Sequence, residues 1–444
     1  MKVNGLVIAA ALLAALGGAV WWSNKDEEAK KGQPAKDAPP KIITVIDADV
    51  AELRFQRKGA EPTVVKRGKD GRWEITAPKP LPADQSVVGG VLGALAPLSS
   101  DKLVEEKTDN LANFGLAQPS ADITVVKKDG KMVNILLGDE TAIGSGTYVK
   151  IGSEPRIYTI TSKAGIDKDW KDLRDKRLLT FDSGKLSRLE VSNGKQTVEF
   201  GKSGADSWTI LKPSPMRGDN FAVEELVRKL NDAKMEDTPD DAAAADVAKK
   251  FNGSALVGKA RTADSSGTQE LEVRKDKGGV YYAKSTAVAG VYKVANELGE
   301  AVAKGLDDYR NKKVFDFAFQ EPTRIEVKGP ARTFVFEKTK NDWKLNGKVM
   351  QPDQIQALID KLRDLSAVKF KTAGGGNAHS EFTVTTQDGK TVEKVIVTKS
   401  GDSLLATRSG ESTVYELDGL KVEEILNAAS AVKDASAAKP AAKK

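Results

Sequence analysis

The organisation of this 444-residue chain follows from the stretch Asp70-Gly71-Arg72-Trp73, in which a tryptophan comes directly after a turn. Two more tryptophans, Trp208 and Trp343, follow at successive intervals of 135 residues, and each also comes just after a turn-forming sequence. A constant interval is the mark of tandem copies of one structural unit. The sequence therefore predicts three copies.

The sequence around each tryptophan repeats as well. A pair of alternating strands precedes it, and an amphipathic helix follows, starting near Asp84, Asp219 and Asp353. An aspartate in this place can cap the free N–H groups of the first helical turn. Each helix has apolar residues at positions i, i+3, i+4 and i+7, the face that packs on an apolar surface. These stripes are Val88, Val91, Leu92, Leu95; Val223, Leu226, Val227, Leu230; and Ile355, Leu358, Ile359, Leu362.

The second half of each unit also recurs. Asp129-Gly130 in the first copy and Asp388-Gly389 in the third predict hairpins with type I′ turns, and Lys277-Gly278-Gly279 takes the equivalent place in the second. A tyrosine-centred strand comes next, around Tyr158, Tyr292 and Tyr415. Copies one and two close with the related segments 172–177 and 308–313, and we expect a shorter helical ending in copy three.

These patterns predict an α+β chain of three tandem repeats, each made of antiparallel β-hairpins with one packed helix. We place repeat 1 at 43–180, repeat 2 at 181–316 and a shorter repeat 3 at 317–430. The polar, proline-bearing residues 23–42 are predicted to be a linker. The Ala- and Lys-rich residues 431–444 are predicted to be a disordered tail.

The first 22 residues predict a membrane helix. The apolar run from Val3 to Trp22 has about the 20 residues that span a bilayer, and Trp21-Trp22 suits the membrane interface. The alternative is a signal peptide cleaved near Gly17-Gly18-Ala19, and either interpretation exports the rest of the chain. We expect a single-pass protein of a bacterial cytoplasmic membrane, with most of its mass periplasmic or otherwise extracytoplasmic.

Composition narrows the possible chemistry. The formal net charge is +6, but the termini and the linker carry most of it, which argues against nucleic-acid binding. The chain has no cysteine, so disulfides, thiol nucleophiles and iron–sulfur clusters are excluded. With one histidine, His379, zinc and copper sites are nearly excluded too.

The remaining motifs are weak. We interpret His379, just after Gly374-Gly375-Gly376-Asn377, as a solvent-facing loop residue, since there is no G-x-S-x-G elbow for it to serve. Gly201-Lys202-Ser203 lacks the earlier glycine of a P-loop. Asp139-Glu140 could present two acids to a cation or sugar, but a solvated loop is the better interpretation, and the acidic run 236–241 is interpreted as a loop entering a helix. We assign no catalytic, cofactor-binding or metal-binding residue.

A set of short phrases in a fixed order resembles a known bacterial family. They are Trp73-Glu74-Ile75-Thr76-Ala77-Pro78, Phe114-Gly115-Leu116-Ala117-Gln118-Pro119, Leu137-Gly138, Thr147-Tyr148-Val149 and Asp172-Leu173-Arg174-Asp175-Lys176. In this order they resemble the domain-of-unknown-function family 4340, over roughly residues 43–320 with a weaker echo to about 430. The resemblance implies one N-terminal membrane helix, an extracytoplasmic body, and a role beside ABC-type export permeases or gliding-motility-type auxiliary proteins. It implies no catalytic residue.

Three functions compete. The first is a non-enzymatic, membrane-tethered binding or scaffold subunit, accessory to an ABC-type transport or envelope assembly, with a permease complex as its protein partner. The second is a binder of a lipid, glycan or peptide in an apolar cleft between units. The third is an envelope hydrolase using two facing carboxylates. No cofactor and no nucleic acid is expected in any of them.

The tryptophans could form an exposed platform for carbohydrate or peptide, but their place between turn and helix favours a core role. On that interpretation, Trp208→Ala should lower the free energy of unfolding by about 3–5 kcal/mol. Chemical denaturation of the purified chain measures this loss. An unchanged melting temperature would show that Trp208 is not a core residue.

Overall fold

A computed structural model describes residues 41–142, 146–152, 154–161, 163, 165–202, 207–237, 241–386 and 389–437. The chain divides after Lys176 into two compact units. The first unit holds one large sheet, sheet 1, and the second unit holds two, sheets 2 and 3.

The first unit is built from strands and two helices. Its elements are β1 (Lys41–Thr44), β2 (Val50–Arg57), β3 (Thr63–Arg67), β4 (Trp73–Ala77), β5 (Leu81–Pro82), α1 (Gln85–Leu95), β6 (Pro97–Ser99), β7 (Lys102–Glu105), β8 (Ala121–Lys127), β9 (Met132–Glu140), β10 (Thr147–Ile151), β11 (Ile157–Ile160) and α2 (Trp170–Leu173). Sheet 1 has the order β5-β4-β3-β2-β8-β9-β10-β11-β7, and β1 pairs separately with β6.

The second unit repeats this plan twice. Its first half comprises β12 (Arg188–Ser192), β13 (Thr197–Lys202), β14 (Trp208–Lys212), β15 (Met216–Arg217), α3 (Asn220–Asn231), α4 (Asp241–Gly253), β16 (Ala255–Asp264), β17 (Gly267–Lys275), β18 (Tyr281–Ser285), β19 (Val291–Val294), α5 (Asn296–Ala303) and α6 (Leu306–Tyr309). Its second half comprises β20 (Pro322–Lys328), β21 (Thr333–Thr339), β22 (Asp342–Leu345), β23 (Lys348–Val349), α7 (Pro352–Asp364), β24 (Ala367–Lys371), β25 (Asn377–Thr386), β26 (Thr391–Ser400), β27 (Ser403–Arg408), β28 (Val414–Leu417) and α8 (Gly419–Ala431).

All three sheets share one topology. Four strands run outward from the sheet centre, a helix crosses one face, and a second series of strands returns from the centre to the other edge. Sheet 2 has the order β15-β14-β13-β12-β16-β17-β18-β19, and sheet 3 the order β23-β22-β21-β20-β25-β26-β27-β28-β24. The pairing is antiparallel throughout the sheets, so the predicted α+β class of antiparallel hairpins with helices is confirmed.

The predicted apolar stripes of α1, α3 and α7 are buried at all twelve positions. Trp73, Trp208 and Trp343 lie in three separate hydrophobic cores, one beneath each of these helices, and none is more than 8% exposed. The core interpretation of the tryptophans is therefore confirmed. The tryptophan recurs because, in each repeat, a large aromatic side chain fills the space between the sheet and the helix.

Two of the predicted helix caps are present and one is wrong. Asp84 accepts from the N–H groups of Ser86 and Val87, and Asp219 accepts from Ala222. In the third copy α7 begins after Gln351 with no side-chain cap, and Asp353 lies inside the first turn. The reason is Pro352 at the first helical position, which needs no N–H partner and starts the helix earlier.

The predicted type I′ turn at Asp129-Gly130 is also wrong, although the hairpin exists. Only Gly130 has a positive φ, at 85°, and its N–H donates to the Lys127 carbonyl. The turn is therefore a type I turn followed by a left-handed glycine, the usual three-residue hairpin loop. Asp388 lies outside the described residues.

In each of the three repeats, the recurring strand pairing includes residues before the predicted start at 43, 181 or 317. Lys41 pairs with Ser99, Arg177 bridges to Lys234, and Lys313 bridges to Ser366, at the same place in all three units. A second recurring bridge closes each unit, between residues 83 and 174, 218 and 310, and 350 and 434. The sequence segments 41–45, 177–181 and 313–317 share this role, with a basic residue followed by two apolar ones.

Repeat 3 is shorter than the other two because of a short connection between two strands, and its closing helix is not shortened. Its closing helix α8 is 13 residues long, against 8 for α5, so the expected shorter helical ending is wrong. The missing length lies between β24 and β25, where 372–376 replaces the longer connections of the other copies. The tail also begins later than 431, because Gln351 donates to the Lys433 carbonyl and Asp434 bridges to Met350.

Among the described residues, no helix has both the length and the apolar composition to cross a membrane. The predicted membrane helix at 1–22 and nearly all of the predicted linker lie outside the described residues.

Candidate functional site

The residues that the sequence singled out for chemistry lie apart from one another. His379 is in strand β25 rather than in a loop, and its side chain is only 15% exposed, with Nε2 3.6 Å from Glu423 of α8. The solvent-facing interpretation of His379 is therefore wrong, because α8 covers this end of β25. Gly201 and Lys202 belong to strand β13, and the acidic run that begins at Glu236 leads into helix α4.

Asp139 and Glu140 end strand β9 in exposed positions, and Glu140 pairs with Lys163 at 3.1 Å. They lie in a strand, so the loop interpretation is wrong, because the pairing of Glu140 with Thr147 continues the sheet to this point; their exposure to solvent is as expected. Within the part of the chain that the structure describes, no group of three or more His, Asp or Glu side chains is arranged to hold a metal ion.

Among the described residues, a group of partly buried charges lies inside the second unit, where sheet 2 meets sheet 3. We call it the Arg217 cluster, and its members are Arg217, Asp316, Glu393, Arg408, Glu411 and Tyr415. Arg217 comes from edge strand β15 of sheet 2, and the others come from the start and the β26–β28 region of sheet 3.

Arg217 is the only member from sheet 2; both of its Nη atoms form hydrogen bonds, whereas Nε makes an ion contact without a hydrogen bond. Nη1 is 2.5 Å from Asp316, Nε is 3.0 Å from Glu411, and Nη2 donates to the Lys313 carbonyl at 2.6 Å and to the Tyr415 hydroxyl at 2.8 Å. The side chain is 19% exposed. Ion pairs this sheltered are weakly screened and geometrically demanding, so they hold the two sheets in one orientation.

Arg408 continues the cluster within sheet 3. Its guanidinium lies 3.1 Å from Asp316, 3.1 Å from Glu393 and 3.3 Å from Glu411. Glu393 also accepts from the Asp316 backbone N–H at 2.7 Å. Each of the three carboxylates thus pairs with an arginine and also accepts a hydrogen bond from a second polar group: Asn311 for Asp316, the Asp316 N–H for Glu393 and the Tyr415 hydroxyl for Glu411.

Three members of the cluster, Glu393, Tyr415 and Arg217, have raised pKa values. Burial raises the pKa of Glu393 above the ordinary glutamate value of 4.5, although the Asp316 N–H and Arg408 oppose it. Burial also raises the pKa of the Tyr415 hydroxyl. The pKa of Arg217 is raised too, because Tyr415, Asp316 and Glu411 outweigh the lowering effect of burial.

A second arginine extends the contact between these sheets. Arg310, from the segment that closes sheet 2, lies 3.8 Å from the centroid of the Phe370 ring of β24, and its Nη2 is 3.3 Å from the Thr413 hydroxyl. Stacking of a guanidinium on an aromatic face is a favourable cation–π contact. The described boundary between sheets 2 and 3 is therefore filled by paired charges, where a ligand-binding protein would have an apolar cleft.

A depression of about 280 Å³ on sheet 2 is lined by both charged and apolar groups. It is crossed by ion pairs between neighbouring strands, Lys259–Glu272 at 2.9 Å and Arg261–Glu270 at 3.3 Å. These groups satisfy one another and are open to solvent.

Sequence reasoning missed the Arg217 cluster, because its members come from distant segments. One signal was present: the bridge positions align Arg217 with Pro82 in the first copy and Val349 in the third. A cation that appears in only one copy, at a position that is otherwise apolar, marks a contact specific to that copy.

The fold and this cluster define a class: an α+β protein of three tandem repeats, in which a polar cluster joins sheet 2 to sheet 3 within the second unit. Two overlapping stretches, 73–252 and 208–382, match one family model, described as domain of unknown function (DUF4340). The matches begin at Trp73 and Trp208, in the register of the repeat, and together cover more than half of the chain. The chain belongs to the DUF4340 family, as its motifs predicted. No curated protein matches it.

Arg217→Met should lower the free energy of unfolding of the unit formed by residues 177–444 by about 2–3 kcal/mol, because the Lys313 carbonyl and the Tyr415 hydroxyl lose a hydrogen bond and Asp316 and Glu411 keep only Arg408 as a cation. The matched control is Arg228→Met, which removes an exposed arginine paired with Glu225 on α3 and should cost about 0.5 kcal/mol or less. Urea denaturation of both variants measures the difference. Equal losses would contradict a structural role for the cluster.

Glu393→Gln should change stability in a pH-dependent way. Since the native pKa of Glu393 is raised above 4.5, its contribution to stability is greatest below pH 4.5 and falls as the pH rises through that native pKa. Glutamine does not titrate, so the unfolding free energy of the wild type minus that of the variant should decrease from pH 4 to pH 8. A difference that increases with pH would mean that the pKa is lowered instead.

Proposed function

We propose that this protein is a non-enzymatic, membrane-tethered extracytoplasmic scaffold that binds other proteins of an ABC-type transport or envelope assembly. The observation that carries the proposal is the Arg217 cluster. Its arginines and carboxylates, which are partly buried, are bonded to one another and join sheet 2 to sheet 3.

Three features support a scaffold over an enzyme. A general acid or base needs a side chain poised beside a cleft, and the carboxylates of the cluster accept hydrogen bonds from arginines of the protein itself. A glycoside-cleaving pair needs one free acid and one free base. Repeated units, in contrast, provide extended surface for partners.

The membrane tether rests on the apolar run from Val3 to Trp22 and on the family resemblance. A single apolar helix of this length anchors an exported domain beside integral membrane proteins. The assignment to a transport or envelope assembly rests on the resemblance alone. The binder of a lipid, glycan or peptide is the second candidate, but the described boundary between sheets 2 and 3 is charged, which argues against it.

The test is co-purification of the tagged full-length chain from cross-linked, detergent-solubilised bacterial membranes. We expect stoichiometric recovery of an integral membrane permease, and loss of that recovery when residues 1–22 are replaced by a cleavable signal peptide. Recovery of the chain alone from membranes, or of most of the chain in the cytosolic fraction, would refute the proposal. A tagged, unrelated single-pass protein with a domain of similar size is the control for nonspecific capture.

A further inference from the structure

Three of the phrases by which the sequence resembles the DUF4340 family meet on sheet 1, at 114–119, 137–138 and 147–149. The Phe114 ring packs edge-on against the Tyr148 ring, with the ring centroids 5.1 Å apart. Two glycines let the chain cross strand β9 this closely. A Cβ at Gly138 would lie 2.0 Å from the Phe114 carbonyl oxygen, and one at Gly115, where φ is 67°, would lie 2.4 Å from the Asp139 side chain. These phrases therefore hold Tyr148 in place.

Tyr148 lies on the face of sheet 1 that points away from α1. Its neighbour Val149 and the facing Tyr158 belong to the core beneath α1, and successive side chains of a strand point to opposite faces. On the outer face, Thr159 of β11 lies directly opposite Tyr148, and Lys102 of the edge strand β7 lies opposite Thr159. Three neighbouring strands thus place these side chains in one row.

A pocket of about 430 Å³ opens beside this row. The Thr161 hydroxyl donates to the Asp101 carboxylate at 2.5 Å, and the Asp101 N–H donates to the Thr159 carbonyl at 2.8 Å, so the polar groups of the pocket are held by the fold. The pocket combines an aromatic ring and an aliphatic side chain with hydroxyls, one carboxylate and one ammonium group. We call it the Tyr148 pocket, and its lining includes Asp101, Lys102, Val104, Tyr148, Thr159 and Thr161.

In sheet 2 the same row is filled. The positions of Tyr148 and Thr159 are taken by Tyr282 and Lys293. Tyr282 is only 4% exposed, with its hydroxyl 3.1 Å from Asp276, and Lys293 pairs with Glu236 at 2.7 Å. A tyrosine at this position can therefore be buried, and an ion pair closes the row beside it.

Sheet 3 fills the row in another way. Leu405 takes the place of Tyr148 and is 7% exposed, while Glu416 takes the place of Thr159. Glu416 pairs with Lys371 at 3.2 Å and accepts from the Ser403 hydroxyl at 2.7 Å. Sheet 1 instead has a neutral threonine in the row and a partly exposed Tyr148, so only the first repeat keeps this position open among the described residues.

We propose that the Tyr148 pocket binds a saccharide. One face of a sugar ring consists of C–H groups, which pack on an aromatic ring, and its hydroxyls both donate and accept hydrogen bonds. Tyr148 and Val104 would contact the C–H face. Asp101 would accept from sugar hydroxyls, and Lys102 and Thr161 would donate to them.

Other ligand classes fit the Tyr148 pocket less well. A phosphate or a carboxylate would be repelled by Asp101. A lipid chain would cover the Asp101 carboxylate and the threonine hydroxyls without offering them hydrogen bonds, which is costly. A sugar is the ligand that satisfies both the aromatic ring and the polar groups.

The inference goes beyond the proposed function, because it adds a saccharide ligand to a scaffold for proteins. Binding to the Tyr148 pocket is measured on the purified chain, without any partner. Failure of this test would leave the scaffold proposal standing, and failure to recover a permease would leave the saccharide site standing.

The test is saturation-transfer difference NMR on the full-length chain, purified in a detergent without sugar head groups. The probes are chitotetraose, which has the β-1,4-linked N-acetylglucosamine of cell-wall glycans, and maltotetraose, a glucan. We expect binding of at least one probe with a dissociation constant of about 1 mM or lower, and the probe that binds identifies the source of the saccharide. Tyr148→Ala should weaken binding at least about ten-fold, because the packing surface for the sugar ring is lost.

Milder variants keep the test valid if Tyr148→Ala misfolds. Asp101→Asn and Thr161→Val should each weaken binding about three- to ten-fold, because each removes a hydrogen-bonding group, with little change in melting temperature. The matched control is Thr268→Val, an exposed threonine of β17, which should leave binding unchanged. The inference is overturned if neither probe binds at about 10 mM, or if binding is the same in Asp101→Asn, Thr161→Val and Thr268→Val.

Discussion

Every repeat of this protein depends on covering one apolar face of a sheet with a helix. Four apolar positions on each helix and one tryptophan beside it do this, and all of them are buried. At roughly 25 cal/mol per Å² of apolar area, burial of a few such side chains outweighs any surface ion pair in the molecule. The outer face of each sheet is free to carry charge because the inner face supplies the stability.

Because the apolar face of each sheet is covered by its own helix, the contact between sheets 2 and 3 is made by charged groups. Two sheets whose inner faces are already covered have little apolar surface left with which to meet. Sheets 2 and 3 meet instead through arginines and carboxylates that satisfy each other, with Arg310 stacked on Phe370. Such contacts give orientation more than net stability, because desolvation of the charges offsets much of their attraction. These contacts set the angle between sheets 2 and 3.

The sequence predicted the features that periodicity controls: the three cores, the helix stripes and the hairpins. It failed where one residue overrides a pattern. Pro352 starts α7 early and displaces the expected cap at Asp353, and Asp129 avoids the left-handed region that a type I′ turn requires. His379 was misplaced because a helix from later in the chain covers it. The Arg217 cluster lay beyond sequence reasoning, since it is assembled from positions almost two hundred residues apart.

The bridge that closes each unit has a consequence for synthesis. Strand β5 ends at Pro82, but the segment that pairs beside it, at Arg174, is made much later, and the same delay applies to β15 and β23. Until the later segment is synthesised, the growing chain has an unpaired edge strand, and unpaired edge strands can pair with other nascent chains. These margins are only two residues long, and the first contains a proline that has no N–H to offer. Because these edge strands are so short, they offer few backbone groups for pairing with other chains before the closing segment of the same repeat is made.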